Sequence, residues 1–300
     1  MPQPTLNYVT CPDPSGGHRM AWWQWGDPLA GHVIVCVHGL SRQGRDFDVL
    51  AEVLLERAAH PLRIVCPDVA GRGRSDWLKD PLTYQIPTYV ADMLALLAAL
   101  HEQRAVTTLD WLGTSMGGLI GMGVAGTPQL PLPVPVRRLV LNDVGPQIQW
   151  QALQRIGTYL GNTGRFESVE QAAAAMWAIS TSFGPHTPAQ WLALSQAMVR
   201  PLPEGGLTLH YDPAIAVPFR TVTEESAAQG QAALWQLYDN IRADVLVTRG
   251  ANSDLLTRET ALAMTGRGPK ARLAEFEGVG HAPTFVANNQ IEAVASFLLK

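Results

Sequence analysis

A chain of 300 residues, 47% of them hydrophobic and 16% charged, is long enough to bury one large core and too apolar for a disordered or fibrous segment. Its formal net charge of -4 gives no basic field of the kind that neutralises phosphates, so nucleic acid is not an expected partner. Three cysteines, Cys11, Cys36 and Cys66, lack a C-x-x-C spacing, and two fall in apolar runs, as reduced buried thiols do; no zinc site is expected from them.

From the start, Met1 to Asp27 lacks the basic opening and apolar run of a secretory leader, which gives the expectation of a cytoplasmic protein. Asn7 to Cys11 and Arg19 to Trp25 read as an opening hairpin. The runs VIVCV (Val33 to Val37) and LRIVC (Leu62 to Cys66) read as buried strands, with an amphipathic helix from Asp46 to Ala59 between them. After a loop rich in Gly, Arg and Asp come a helix from Thr88 to His101 and a strand from Val106 to Leu112. A helix of small residues starts at Ser115, and a strand follows from Arg138 to Leu141. The uncharged stretch from Trp111 to Val136 has the length of a membrane span, but its glycines and prolines break any continuous lipid-facing helix.

At Gly145-Pro146 the rhythm changes, and 146–221 reads as an inserted helical lobe, with helices over Gln147 to Leu160, Val169 to Ile179 and Pro188 to Met198 and no strong buried strand. Alternation then resumes with a helix from Gln231 to Asn240, strands at Asp244 to Thr248 and Arg272 to Phe276, and helices at Arg258 to Met264 and Gln290 to Leu299. The pattern is that of an α/β fold with a mostly parallel sheet, built from 1–145 and 222–300, and interrupted by the insertion.

The chemistry concentrates in Gly113-Thr114-Ser115-Met116-Gly117, a G-x-S-x-G between a strand and a small-residue helix. A tight turn there lifts the serine oxygen clear of the sheet, and the flanking glycines remove the Cβ atoms that the turn would crowd. Ser115 is therefore the candidate nucleophile. A serine needs a base, and of eight histidines His281 stands in a loop after the last strand, where a parallel sheet presents its carboxyl edge. The acid is expected between them in chain order and after a strand. Asp254, past DVLVT, is the preferred candidate, and Asp143, past the preceding strand, is the alternative; Asp143 also reads as a carboxylate fixing the loop near Gly145. Two backbone N–H groups must hold the oxyanion; the candidates are those of Met116 and of Leu40 in the loop His38-Gly39-Leu40-Ser41, with His38 orienting that loop.

With these motifs in place, the chain resembles the α/β-hydrolase superfamily: a His-Gly loop, the D-x-x-G-x-G-x-S segment Asp68 to Ser75, the elbow continuing as Met116-Gly117-Gly118, and a late Gly280-His281. The resemblance implies an eight-stranded sheet, an insertion that caps the active site, and no cofactor. It leaves open esterases, enol-lactonases and carbon-carbon hydrolases, although Ala282-Pro283 replaces the aromatic residue that many ring-cleavage hydrolases carry after the histidine. The leading expectation is hydrolysis of a small ester, lactone or thioester through an acyl-enzyme. Carbon-carbon cleavage, cofactor-free perhydrolysis and ligand sensing on the same fold are the alternatives. Trp150, Trp177, Phe183 and Trp191 are candidates to line an apolar pocket, and Arg42 and Arg45 to hold a substrate carboxylate, unless they pair with Asp46, Asp48 or Asp143. The expected partner is a small-molecule substrate, with no membrane; a homodimer is left open.

Overall fold

The computed structural model describes residues 3–300; residues 1–2 of the stretch read for a leader lie outside them. Two strands, β1 (Thr5–Cys11) and β2 (His18–Gly26), form the opening hairpin, and β3 (His32–Val37), α1 (Asp48–Arg57) and β4 (Arg63–Asp68) form the first crossover unit. Then come α2 (Ile86–Gln103), β5 (Thr108–Thr114), α3 (Met116–Gly126) and β6 (Val136–Asn142). The next segment holds α4 (Trp150–Tyr159), α5 (Val169–Ser180), α6 (Pro188–Gln196), β7 (Val199–Pro201), β8 (Leu207–Leu209) and α7 (Ala216–Thr221). The chain closes with α8 (Glu224–Asn240), β9 (Asp244–Gly250), α9 (Arg258–Gly266), β10 (Arg272–Phe276) and α10 (Asn288–Leu298).

Eight strands make one sheet in the order β1-β2-β4-β3-β5-β6-β9-β10. β2 pairs antiparallel with both of its neighbours, and every pairing from β4 to β10 is parallel. Side chains alternate between the two faces of a strand, so each central strand feeds two cores. On one face Val33, Val35, Leu109, Trp111, Leu139, Leu141, Val245 and Val247 pack under α2 and α3. On the other, Ile34, Cys36, Ile64, Leu112, Val140 and Leu246 pack against residues of α1 and α10, such as Leu54 and Val294. All three cysteines are free and buried. Among the described residues no helix is long and apolar enough to cross a membrane.

The small hairpin of β7 and β8, the short helix α7 and the start of α8 differ from the sequence reading. β7 and β8 pair as a small antiparallel hairpin inside a segment read as lacking a strong strand, and Phe166 bridges to Leu207 beside it. Each strand has three residues, too few to show a period, and Pro201, Gly205 and Gly206 surround them. α8 begins at Glu224 rather than Gln231, because the capping box between Thr223 and Ser226 starts a helix whose first two turns are polar and mostly exposed.

Candidate active site

Parallel strands send their carboxyl ends to the same edge, and the loops after β3, β5, β6, β9 and β10 meet there. Ser115 sits between β5 and α3 with φ 52° and ψ -114°, a conformation that few residues with a Cβ adopt. The turn is held closed: Ser115 N donates to the Asn142 carbonyl at 2.9 Å, and Gly118 N donates to the Ser115 carbonyl at 2.9 Å. Only glycine fits beside it. A Cβ on Gly113 would stand 2.1 Å from the Gly117 carbonyl oxygen, and one on Gly117 would stand 2.1 Å from that of Val37.

The Ser115 hydroxyl faces His281 Nε2 at 3.0 Å, and His281 Nδ1 meets Asp143 Oδ2 at 2.7 Å. Nδ1 donates to the carboxylate, so the neutral ring turns its free lone pair on Nε2 to the serine, which donates. Asp143 is fully buried, and it also accepts from Gly250 N at 2.9 Å and from Ser253 Oγ at 2.6 Å. The acid in contact with the histidine is therefore Asp143, which corrects the preference for Asp254. Asp254 is exposed in the β9 loop and forms a two-pronged ion pair with Arg155 of α4, at 2.8 and 3.1 Å. The β9 loop contributes Gly250 and Ser253 to Asp143's support instead.

The loop after β3 is fixed from within. His38 is completely buried; its Nδ1 donates to the Gly39 carbonyl at 2.7 Å and its Nε2 accepts from Val69 N at 2.9 Å. Burial holds its pKa down to about 3, so the ring is neutral. Among the described residues, neither Leu40 N nor Met116 N donates to a protein acceptor, Met116 being the first residue of α3 and Leu40 lying in the turn closed by Arg42 N to the Gly39 carbonyl at 3.1 Å.

Over this edge lies a cavity of about 350 Å³ that reaches Ser115 and His281. Its walls are mostly apolar, with Ile156, Phe166, Met176, Phe183, Leu194 and Met198 among them. Of the four aromatic candidates only Phe183 lines it. Trp177 and Trp191 pack edge to face at 4.9 Å and Trp191 Nε1 donates to the Ala173 carbonyl, so both build the interior of the segment above the site; Trp150 starts α4 away from the cavity. Phe166, Met176 and Met198 went unnoticed in sequence because nothing in their spacing separates a cavity wall from a core. Of the two arginines, Arg42 reaches the cavity wall but is clamped by Asp46 through two bonds of 2.6 Å and by the Leu194 carbonyl at 3.0 Å. Arg45 turns away to Asp48 and the face of Trp23, so its expected place beside substrate is corrected. Arg155, on α4, is the cation on the wall that sequence reasoning passed over.

Several bonds tie the segment between β6 and α8 to the histidine loop. Gly280 N donates to the Ser182 carbonyl, Ser182 Oγ donates to the His281 carbonyl at 3.2 Å, and His186 Nε2 meets Thr284 Oγ1 at 2.8 Å.

A sequence model described as the alpha/beta hydrolase family matches residues 34–296. A 3-hydroxybutyrate-oligomer hydrolase from Cupriavidus necator is 51% identical over 297 residues, covering 98% of this chain and 97% of that protein. Among solved structures, an alpha/beta hydrolase from Novosphingobium aromaticivorans superposes with TM-score 0.82 at 33% identity, with 99% of each chain covered. A Rickettsia typhi structure solved as a hydrolase superposes with TM-score 0.84 at 28% identity, again over 99% of each chain. Eight strands in this order, a serine on the strand-to-helix turn and this agreement over nearly the whole length lead to one conclusion: the chain belongs to the alpha/beta hydrolase family.

Proposed function

We propose that the protein is a serine ester hydrolase that cleaves short linear oligomers of a 3-hydroxyalkanoate, 3-hydroxybutyrate foremost, through an acyl-enzyme. The observation that carries the reaction type is the unbroken chain Ser115, His281, Asp143, with links of 3.0 and 2.7 Å, at the floor of a mostly apolar cavity. Support for the substrate class comes from the Cupriavidus necator relative and from the lining, whose methyl and phenyl groups suit the methyl-bearing backbone of such an oligomer. The segment 146–221 acts as the cap that supplies most of that wall.

In the first half-reaction Ser115 Oγ attacks the ester carbonyl carbon while His281 Nε2 takes the hydroxyl proton. The N–H groups of Leu40 and Met116 receive the oxyanion, and Asp143 stabilises the imidazolium without taking its proton. Collapse breaks the ester C–O bond, and His281 returns the proton to the leaving alkoxide. A water molecule, deprotonated by His281, then attacks the acyl carbon and releases the acid and Ser115. Arg155, about 40% exposed and held by exposed Asp254 in a two-pronged pair, is the cation we assign to the free carboxylate of the oligomer.

The test is turnover of the linear dimer and trimer of 3-hydroxybutyrate, beside a short aryl ester and a vinylogous diketone acid. Release of 3-hydroxybutyrate is expected, with Ser115→Ala losing on the order of 10⁶ in kcat. A wild-type protein that cleaves the diketone and no ester, or a Ser115→Ala variant with undiminished turnover, would overturn the reading.

A further inference from the structure

Arg72 lies in the loop after β4, and its side chain is completely buried. Its guanidinium is held on every side. Nε donates to the Leu40 carbonyl at 2.8 Å, and Nη1 donates to the Ala70 carbonyl at 2.6 Å and to the Tyr89 hydroxyl at 2.9 Å. Nη2 points at Met116 Sδ, 3.6 Å away, and the ring centres of Tyr89 and Tyr84 lie 5.2 and 5.6 Å from its central carbon. Among the described residues no carboxylate oxygen comes within 4.0 Å of its nitrogens; all its partners are neutral.

An arginine keeps its charge at any pH a protein survives, and a charge this deep is ordinarily paired. Carbonyl dipoles and aromatic faces hold this one instead. The two groups it touches that matter here are Leu40 and Met116, the residues proposed above as the oxyanion donors. By fixing the Leu40 carbonyl, the Nε bond fixes the orientation of that residue in its turn. The nearby His38 and His210 add no charge of their own: burial above all, with the surrounding cations, holds both rings neutral.

We propose that Arg72 is the positioning residue of the oxyanion hole, locking Leu40 and Met116 in place and leaving an unneutralised positive charge behind the two donors. The inference rests on the ester-hydrolase reading above. An ester carbonyl is close to neutral and the tetrahedral state is anionic, so a fixed cation behind the hole favours the second over the first. Its loss therefore falls on kcat and leaves KM nearly unchanged.

The experiment compares the full-length wild type with Arg72→Met, Arg72→Lys and Tyr89→Phe, using a short aryl ester and a trifluoromethyl ketone that forms an anionic adduct on Ser115. For Arg72→Met, kcat is expected to fall about 100-fold with KM within threefold, and ketone affinity to fall by the same factor as kcat/KM. Arg72→Lys, which keeps the charge but loses the fork, should recover to within roughly tenfold of wild type. If Arg72→Met does not fold, Tyr89→Phe carries the test: it strips one anchor, and a drop in kcat of about three- to tenfold at constant KM is expected. Wild-type kcat in a folded Arg72→Met or Tyr89→Phe would overturn the proposal, as would a kcat loss with unchanged ketone affinity. A wild type that cleaves no ester removes the reading of the site and Arg72's role together; an active wild type with unaffected variants removes only the latter.

Discussion

Asp143 gathers three hydrogen bonds on one carboxylate, and two of them, from Gly250 N and Ser253 Oγ, exist to aim the third at His281. Removing the group leaves the imidazole free to rotate and to take the wrong tautomer, and the comparable loss in other triads is about 10⁴-fold in kcat. Asp143→Ala is expected to lose about that factor, whereas Asp254→Ala should change kcat by less than roughly threefold, since an ion pair as exposed as that with Arg155 contributes little. Steady-state kinetics of the two variants on one ester separates them; the reverse order would return the acid to Asp254. Sequence could place both carboxylates at strand ends in the right chain order, but the order is degenerate here because β6 and β9 are neighbouring parallel strands whose loops open onto the same edge. What decides between them is a side-chain direction, set by φ 54° at Asp143, and no pattern of residue types records that. Ser115 and His281 were legible because their glycine-flanked settings are themselves the geometric requirement.

The strand-to-helix turn from β5 to α3 is an element whose shape leaves no volume for variation. Gly113→Ala would drive a methyl group onto a backbone carbonyl oxygen 2.1 Å away, an atom that cannot swing aside, so destabilisation of about 3 kcal/mol or more is expected. Gly157, in α4, has nothing within 4 Å of its would-be Cβ, and Gly157→Ala should gain roughly 0.5–1 kcal/mol from helix propensity. Urea midpoints of the two variants should move in opposite directions; a shared direction would mean that the turn can relax. The same contrast explains which elements were readable beforehand. VIVCV announces β3 because a strand covered on both faces is apolar at every position, and the small residues of α3 announce close packing on the sheet. The first turns of α8 and the hairpin of β7 and β8 announce nothing, because the former faces solvent and the latter's three-residue strands are too short to establish an alternation.

For the molecule as a whole, stability at acid pH turns on buried groups in and around the loops after β3 and β4. His38 is neutral when folded, with its pKa held to about 3 by burial, and burial also keeps His210 well below its ordinary value. Unfolded histidines take up protons below about pH 6.5, so unfolding binds protons as pH falls below that value, for His38 down to about 3, and the stability both residues contribute is lost in that direction. Asp68 acts oppositely. Burial raises it to about 6, so unfolding releases its proton between about 4 and 6, and its contribution falls as pH rises. His18 shares that sense: burial opposes its charge, the Asp92 bond together with the charges of Asp92, Asp13 and Asp76 outweighs burial and raises its pKa, and its stabilisation is lost as pH rises through the raised value. Because these terms partly cancel, the wild-type pH curve alone cannot isolate one of them, but a difference can. His38→Gln keeps a donor for the Gly39 carbonyl and an acceptor for Val69 N while removing the proton site. Whatever the variant's stability at pH 7, the wild-type advantage over it should shrink by about 2 kcal/mol between pH 7 and pH 5, read from urea unfolding. A constant gap would mean that folded His38 takes up its proton at the same pH as the unfolded chain, and the imidazolium so formed could not accept from Val69 N.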